Sequence, residues 1–476
     1  MTSVDCGIQI GFIRNYMKKT LLLFTLLGSC LAFAQTTVPS TFWGVMFNRP
    51  NDPFPITGAP TFGTIRLWDT NTAWGDIQGN NGIKGCTDSN QLGFTYLDNF
   101  ANHYITPSNF DVIYTVGQTP CFITSNSTDT KCAHYPGSCD PPTDLTCKGT
   151  GVAGTGGTDA TFIAFVQALW THMQGQPYYP GRKWFFEGWN EPDVGKFWDN
   201  TWINDTYCGG DVTGSKRILM RMAADARATI LAIDPNVQFM TPPSAEALTS
   251  TKPGGWWYNY IGGQTSQYGG GGQYADIISV HGYVSDFPAA PELICCGPNT
   301  LVSNTRAAMA KFGQSNKLLF LSEGSCGKAC YGDPEPGWMG RYYTLMLSQG
   351  QVARFDWNGW DTLAPLWNGT QMTPSGIALS VMQADWGYAG ATFPAGGCTA
   401  TPQPSCTGSG NIWTCGLTEG GTGTTAQTAW YDSQGNSCSY TPSGSGWIDY
   451  KDLSGNTHSY NGGSVQLTDS PILFEQ

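Results

Sequence analysis

The chain has 476 residues, of which 12 % are charged, and its 23 basic and 35 acidic residues give a net charge of −12. This length can bury a large core, so one large domain and a smaller one are expected. The acidic balance argues against nucleic acid as a partner. The 18 tryptophans and 61 glycines differ from the charge-dense, aromatic-poor composition of disordered chains and favour a loop-rich extracellular protein with neutral partners.

The N-terminal segment has the pattern of a secretory signal. Residues 17–19 (MKK) precede the apolar run TLLLFTLLGSCLAFA, and residues 32–34 (AFA) supply a small-residue cleavage site. The run is shorter than the roughly 20 apolar residues that span a bilayer. We therefore expect residues 1–34 to be removed, with Met17 a candidate for the true start. The mature protein is expected to be secreted, extracellular or periplasmic, without stable membrane insertion.

The cysteines agree with export. Of the 16 cysteines, 14 follow the predicted signal, an even number that fits a disulfide framework. Connectivity does not follow from spacing, but close neighbours are plausible pairs, namely Cys398/Cys406, Cys326/Cys330 and Cys139/Cys147.

Eight short apolar runs have the pattern of strands, at 42–47, 63–68, 111–117, 183–189, 237–241, 276–280, 318–322 and 352–357. Helical segments are predicted at 159–174, 215–233, 304–312, 338–347 and 374–384. Strands that alternate with helices predict parallel strands joined by crossovers. A closed (β/α)8 barrel is the most economical arrangement of eight strands, and an open doubly wound sheet is the alternative.

The composition changes at about Phe393. Gly, Ser, Thr and Cys dominate from there, and short strand-like runs are separated by turn signals, which predicts a small antiparallel β domain. We therefore expect a signal peptide at 1–34, a catalytic (β/α)8 barrel at 35–392 and a C-terminal β domain at 393–476.

Two glutamates, Glu187 and Glu191, interrupt the apolar run KWFFEGWNEPDV at 183–194. Strand alternation would place both on one side, with Glu191 at the carboxyl end and Glu187 deeper. A second strand, in KLLFLSEGSCG, ends in Glu323. Two glutamates that end two barrel strands suit acid–base and nucleophilic chemistry on a glycosidic bond. Glu187 is expected instead to pair with Arg66 or another inward polar group.

The stretches FFEGWNEPD and FLSEG resemble glycoside hydrolase clan A, the retaining (β/α)8 enzymes, and within it family 39, the β-xylosidase-like family. In that clan an Asn-Glu pair ends the fourth strand and its Glu is the acid/base, which implies this role for Glu191 beside Asn190. A Glu at the end of the seventh strand is the nucleophile, which implies Glu323. The independent strand count also places these two glutamates at the ends of strands four and seven.

Further motifs extend the resemblance over roughly residues 42–390. TIRLW implies Arg66 beside the nucleophile. ISVHGY resembles the family's His-x-Tyr, which implies that His281 and Tyr283 belong to the site and that Tyr283 hydrogen-bonds the nucleophile; a core histidine is the alternative for His281. FDWNGWD offers Trp357 or Trp360 as the platform under the reacting sugar. Long Cys-rich insertions near 71–90 and 121–157 depart from the family.

Simple electrostatics and stacking add expectations for these residues. Asn190 can donate to a sugar 2-hydroxyl. Arg66 should lower the pKa of Glu323, and the neighbouring negative charge should raise that of Glu191. Indole rings stack on sugar faces, so further tryptophans are candidates for substrate contact beside core packing; these are Trp43, Trp68, Trp74, Trp189 and Trp360.

The sequence gives little support for serine-hydrolase or zinc-protease chemistry. The chain has no G-x-S-x-G and no H-E-x-x-H motif, and its five histidines are widely spaced. We expect no cofactor and no metal. The sequence thus predicts a secreted retaining β-glycoside hydrolase acting on a neutral poly- or oligosaccharide of xylan, glucan or exopolysaccharide type. A non-catalytic carbohydrate-binding or adhesion protein on the same fold, and a transglycosylase, are the alternatives.

Overall fold

The computed structural model describes residues 37–49, 52–79, 90–145, 159–199, 214–262, 270–284, 290–292, 297–326, 335–394 and 397–476. The predicted signal segment lies outside these ranges. None of the helices within them combines the length and the apolar character that crossing a bilayer requires.

Eight parallel strands form a closed barrel. They are β1 Trp43–Met46, β2 Thr64–Leu67, β3 Asp111–Thr115, β4 Trp184–Glu187, β5 Gln238–Met240, β6 Ile277–Val280, β7 Leu318–Gly324 and β8 Arg354–Trp357. Each strand pairs with the next in sequence, and Val45 of β1 lies opposite Trp357 of β8, which closes the ring. Parallel strands are covered on both faces and therefore appear as apolar runs. The predicted barrel is confirmed, and the open sheet is excluded.

At least one described α-helix follows each of the strands β2 to β8, and none of the described α-helices lies between β1 and β2. The helices are Trp74–Ile77, Thr95–Phe100, Ala160–Gln174, Gly214–Leu231, Ala247–Ser250, Trp256–Gly262, Pro298–Lys311, Pro336–Ser348 and Pro374–Ala384. In Gly214–Leu231 the buried residues Ile218, Met222 and Ile230 recur at helical spacing, so one face of this helix packs inward.

The C-terminal part is antiparallel. A six-stranded sheet has the order β14-β13-β16-β11-β10-β9, and β12 pairs with β15. The strands are β9 Thr399–Pro402, β10 Asn411–Thr418, β11 Thr425–Tyr431, β12 Cys438–Tyr440, β13 Asp449–Lys451, β14 Thr457–Ser459, β15 Val465–Leu467 and β16 Ile472–Glu475.

Buried polar contacts join this sheet to the barrel. The Trp430 indole donates to Glu292 over 2.6 Å, and Glu292 also pairs with Arg341 of helix Pro336–Ser348 over 3.1 Å. Tyr388 links Thr344 of the same helix to Thr428 of β11 through hydroxyl hydrogen bonds of 2.9 and 2.6 Å. Because all these groups are buried and paired, the sheet is held in a fixed position against the barrel.

Three disulfides lie within the described residues and join Cys132 to Cys139, Cys398 to Cys415, and Cys406 to Cys438. The predicted pairs Cys398/Cys406 and Cys139/Cys147 are therefore wrong. Cys398 instead pairs with Cys415 because the antiparallel strands β9 and β10 bring them together, and Cys139 pairs with a cysteine seven residues before it. Cys326 is disulfide-bonded, and its predicted partner Cys330 lies outside the described residues.

We expect the change Gly44→Ala to destabilise the barrel. A Cβ at Gly44 on β1 would lie 2.2 Å from Oδ1 of the buried Asp356 on the adjacent β8, where no side chain can fit without a shift. Overpacking of this kind costs about 1–3 kcal/mol. Urea unfolding should show that loss. Gly416→Ala on β10 is the matched control, because a Cβ there meets nothing within 4 Å, and an equal loss in both variants would contradict the steric argument.

Candidate active site

Three glutamates lie at or near the carboxyl ends of β4 and β7, and they differ in exposure. The Glu187 side chain is 0 % exposed. The side chains of Glu191 and Glu323 are 12 % and 10 % exposed. One oxygen of Glu191 and one of Glu323 lie within 4.8 Å of each other. The two partly exposed carboxylates therefore face a common space at the mouth of the barrel, and Glu187 lies below it.

Arg66 on β2 connects these groups. Its guanidinium, fully buried, pairs with Oε2 of Glu187 and Oε2 of Glu323, both at 2.6 Å. A third bond, of 2.7 Å, runs from Nη2 to Oδ1 of Asn190. Glu187 also accepts from Thr115 Oγ1 over 2.8 Å and from Ser279 Oγ over 2.9 Å. The expected structural pairing of Glu187 with Arg66 is confirmed, and the guanidinium fixes Asn190 and Glu323 relative to each other.

Glu323 is surrounded by donors. Besides Arg66, the Tyr283 hydroxyl donates to its Oε1 over 2.6 Å and Asn358 Nδ2 donates to the same oxygen over 3.1 Å. Burial raises the pKa of Glu323, while His281, Arg66 and Tyr283 act against that rise. Arg66 lowers this pKa, as expected, but the net shift is upward, because the cost of removing the charge from water exceeds the gain from its partners.

Glu191 stands in a different environment. Strand β4 ends at Glu187, and the backbone then turns with a φ of 144° at Trp189 and 43° at Glu191. This turn, rather than the predicted strand alternation, brings the Glu191 carboxylate to the mouth. Burial, together with the negative charge of Asp193, raises its pKa to about 8. The expected rise for Glu191 is confirmed in direction, with burial rather than a neighbouring charge as its largest cause.

His281 on the loop after β6 lies between the two carboxylates. Its Nδ1 is 2.7 Å from Oε1 of Glu191, and its Nε2 is 3.8 Å from Oε2 of Glu323. Burial lowers the pKa of His281 to about 4. The ring is therefore neutral at pH 7 and orients Glu191 without adding a positive charge to the site.

The tryptophans do not fit the predicted stacking roles. Trp357 and Trp360 are 0 % exposed and Trp189 is 1 % exposed, so none presents a face to a sugar. The Trp357 indole donates to Ala364 O over 2.8 Å, and that of Trp189 donates to Phe197 O over 2.8 Å. Their packing contradicts the stacking assignment. Trp43 and Trp74 are likewise buried, and Trp68 is 4 % exposed at the mouth.

Sequence reasoning did not assign two residues that support the site. Asn358 donates to Glu323 and, over 2.7 Å, to the Tyr283 hydroxyl. Asp193 accepts from Ser244 Oγ over 2.5 Å and from Ala245 N over 3.0 Å, which ties the Glu191 loop to the loop after β5. Asn358 directly follows β8 and Asp193 lies on the loop after β4, where polar residues of a β/α barrel meet, and that position is the signal that could have indicated them.

The closed barrel and its family match define the class of this protein: it is a glycoside hydrolase with the fold of clan A. The matching family model is that of cellulase (glycosyl hydrolase family 5), and the match covers residues 151–362. That range includes both Glu191 and Glu323. No curated protein matches the sequence.

Solved structures share the architecture at low sequence identity. The GH39 enzyme from Xanthomonas axonopodis pv. citri aligns with a TM-score of 0.56 and 14 % identity, over 93 % of this chain and 95 % of that one. A monomeric β-xylosidase from Caulobacter crescentus CB15 gives 0.57 and 12 %, over 93 % and 97 %. A GH30 endoxylanase from Clostridium papyrosolvens C71 gives 0.53 and 12 %, again over 93 % and 97 %. At these identities the likeness shows the fold, and the resemblance to clan A is confirmed.

Proposed function

We propose that the protein is a retaining β-glycoside hydrolase, with Glu191 as acid/base and Glu323 as nucleophile. The observation that supports this most directly is the spacing of their oxygens, within 4.8 Å of each other at the barrel mouth. Double displacement with retention needs the two carboxyl groups about 5–5.5 Å apart, whereas inversion needs about 6.5–9.5 Å to admit a water. The spacing here supports retention.

The reaction has two steps. In the first, Glu323 attacks the anomeric carbon, the glycosidic C–O bond breaks, and the Glu191 proton passes to the leaving oxygen. In the second, a water attacks the anomeric carbon and gives its proton to the Glu191 carboxylate, and the bond to Glu323 breaks. Both steps pass through an oxocarbenium-like transition state. The two attacks on the anomeric carbon come from opposite faces of the sugar, so two inversions leave the configuration unchanged.

The different surroundings of the two carboxyl groups support these roles. Glu323 accepts from Arg66, Tyr283 and Asn358, and each of these bonds favours the ionised form that a nucleophile needs. Glu191, whose pKa is raised to about 8, carries at pH 7 the proton that an acid must donate. A carboxyl group that keeps its proton, beside a second one whose ionised form accepts several hydrogen bonds, is the combination that an acid and a nucleophile need.

Asn190 is proposed to bind the substrate. Arg66 donates to its Oδ1, which leaves the Nδ2 group as the end of the amide that can donate to a sugar. A hydrogen bond to the 2-hydroxyl tightens as the oxocarbenium ion forms and stabilises the transition state.

We further propose that the enzyme is exported and acts on a neutral β-linked poly- or oligosaccharide of xylan or glucan type. The N-terminal signal pattern and the disulfides of the described residues support export. The family model for cellulase, and neighbours described as an endoxylanase and a β-xylosidase, support the substrate class.

The test is a panel of aryl β-glycosides and of plant and bacterial polysaccharides, with the first-formed anomer followed by proton NMR. We expect hydrolysis of at least one β-glycoside and initial release of the β anomer. Initial release of the α anomer would show inversion and overturn the double displacement.

Asn358→Ala should move the acidic limb of kcat/KM to higher pH. The change removes one donor from Glu323 and one from the Tyr283 hydroxyl, so the ionised form of Glu323 loses support. One hydrogen bond to a charged group is worth about 1.5 kcal/mol, or about one pKa unit. Asn236→Ala, at the opposite end of the barrel, is the control. An unshifted acidic limb in Asn358→Ala would contradict this positioning role.

A further inference from the structure

A polar pocket lies at the carboxyl-end side of the barrel, in contact with the loop that carries Glu191, and none of the steps above uses it. It is a cavity of about 340 Å³, within the range of roughly 300–1,000 Å³ typical of small-ligand sites. Its lining comes from the loop after β2, the end of β3 and the insertion that follows β3, and includes Asp69, Asn71, Asp76, Gln118, His134 and Tyr135.

Gln118 indicates that the pocket takes a ligand. The residue is 5 % exposed, and its Oε1 has no hydrogen-bond partner among the described residues. Its backbone φ is 64°, in the left-handed region that a glutamine seldom adopts. Unpaired buried amides and strained backbone both cost free energy and are concentrated at ligand sites.

The far wall of the pocket is preformed. The Tyr135 hydroxyl donates to Thr119 O over 3.0 Å. The ring fits there because residue 75 is a glycine, since a Cβ at Gly75 would lie 1.7 Å from the Tyr135 hydroxyl oxygen. The disulfide between Cys132 and Cys139 closes the short segment that carries this tyrosine. A rigid wall of this kind binds a ligand at low entropic cost.

The pocket is joined to the loop that carries Glu191. Ala133 N donates to Lys196 O over 2.9 Å, which ties the insertion to that loop. Trp68 lies between the insertion and that loop: its ring centroid is 5.4 Å from that of His134 on the insertion and 6.3 Å from that of Phe197 on the loop. The charge of Asp69 acts on Glu191. These contacts place the pocket next to the loop that carries Glu191, the acid of the proposed reaction.

We propose that this pocket is a sugar subsite, built by the insertion after β3, that binds a neutral unit of the glycan and disfavours a uronate. The proposal rests on the proposed function. The carboxylates of Asp69 and Asp76 accept hydrogen bonds from sugar hydroxyls, and the Gln118 amide can both donate and accept. A uronate would bring a third negative charge to the same cavity, which is an effective means of rejection.

Gln118→Asn tests the subsite in the full chain. Asparagine tolerates the left-handed backbone, and its side chain is one methylene shorter, so its amide lies farther from a ligand in the pocket. The readout is a ratio of two kcat/KM values, one for a hexasaccharide and one for an aryl monoglycoside. Cellohexaose is compared with an aryl β-glucoside, and xylohexaose with an aryl β-xyloside. We expect the ratio for the hydrolysed pair to fall about tenfold, which corresponds to about 1.4 kcal/mol. Gln434→Asn, an exposed glutamine in the C-terminal part, should change it less than twofold.

A binding experiment tests the charge preference without turnover. In a Glu323→Gln background, calorimetry compares cellohexaose with cellohexaose oxidised at C6 to glucuronate. We expect about tenfold tighter binding of the neutral hexamer, and a preference reduced to about threefold by Asp69→Asn. Asparagine keeps the left-handed φ of 58° at this position. Equal binding of the two hexamers would overturn the charge preference.

The outcomes separate the two proposals. If wild type hydrolyses a substrate and Gln118→Asn leaves the ratio of kcat/KM values unchanged, the subsite proposal is wrong and the proposed function stands. Hexamer binding that falls tenfold in Gln118→Asn, without any hydrolysis by wild type, supports the subsite and removes the proposed function. If wild type hydrolyses none of these substrates and the Glu323→Gln variant binds none of the hexamers, both proposals are wrong.

Discussion

Glu323→Ala should lower glycoside hydrolysis by about 10⁴-fold or more, a loss typical of removing a covalent nucleophile. The side chain accepts from Arg66, Tyr283 and Asn358, and no other described carboxylate with side-chain exposure has that set of donors. Azide should restore turnover, because a small anion can enter the vacated space and attack the anomeric carbon. The product should be the glycosyl azide of inverted configuration, identified by NMR.

Two controls accompany the Glu323→Ala experiment. Glu246→Ala removes an exposed glutamate near the barrel mouth and should leave kcat/KM within twofold. Thermal unfolding of Glu323→Ala should stay cooperative, because Arg66 keeps its buried partner Glu187. Hydrolysis by Glu323→Ala above one tenth of the wild-type rate, or rescue without a glycosyl azide, would show that another group is the nucleophile.

The barrel could be predicted because its strands are buried on both faces. Seven of the eight apolar runs contain a whole barrel strand, β7 extends two residues beyond the eighth run at 318–322, and helix Pro374–Ala384 was predicted with its observed bounds. The predicted bounds of other elements differ from the observed ones. The predicted helix at 304–312 begins at Pro298 in the structure, since proline is well suited to the first turn of a helix and was overlooked as a start.

The roles of the tryptophans could not be predicted from the sequence. A sugar platform and a core residue are both large aromatic rings beside apolar neighbours, and only the packing of other chains decides exposure. Trp360 is surrounded by Phe47, Phe54, Phe62 and Trp367. Three of these rings come from chain segments more than 290 positions away, so no local pattern could reveal that the indole is covered.

The pKa of Glu323 shows a second limit of sequence reasoning. The charges near a residue can be inferred from a motif, and Arg66 was correctly placed beside Glu323. The depth of burial cannot be inferred in the same way, because it depends on every loop that folds over the mouth. Burial is the larger influence on this carboxylate and raises its pKa despite the arginine.

Glu191 should set the alkaline limb of activity. Burial raises its pKa to about 8, so the proton that it donates is present below that pH and lost above it. The kcat/KM for an oligosaccharide should therefore fall as pH rises through about 8. Glu191→Gln should abolish this limb and lower kcat/KM by about 10²–10⁴-fold, the usual range for a general acid. The leaving group of a 2,4-dinitrophenyl β-glycoside needs little protonation, so the rate of the first step with this substrate should fall far less in Glu191→Gln.

Stability measurements separate this role from misfolding. The pKa of Glu191 is about 8 in the folded protein, against an ordinary value of 4.5. Between these values the folded state binds more protons than the unfolded state, so this group makes the protein less stable as pH rises from about 4.5 to 8. Glu191→Gln should remove that dependence and raise the Tm at pH 8 relative to wild type while hydrolysis is lost. A lower Tm at pH 8, or an alkaline limb that persists in the residual activity, would assign the proton to another group.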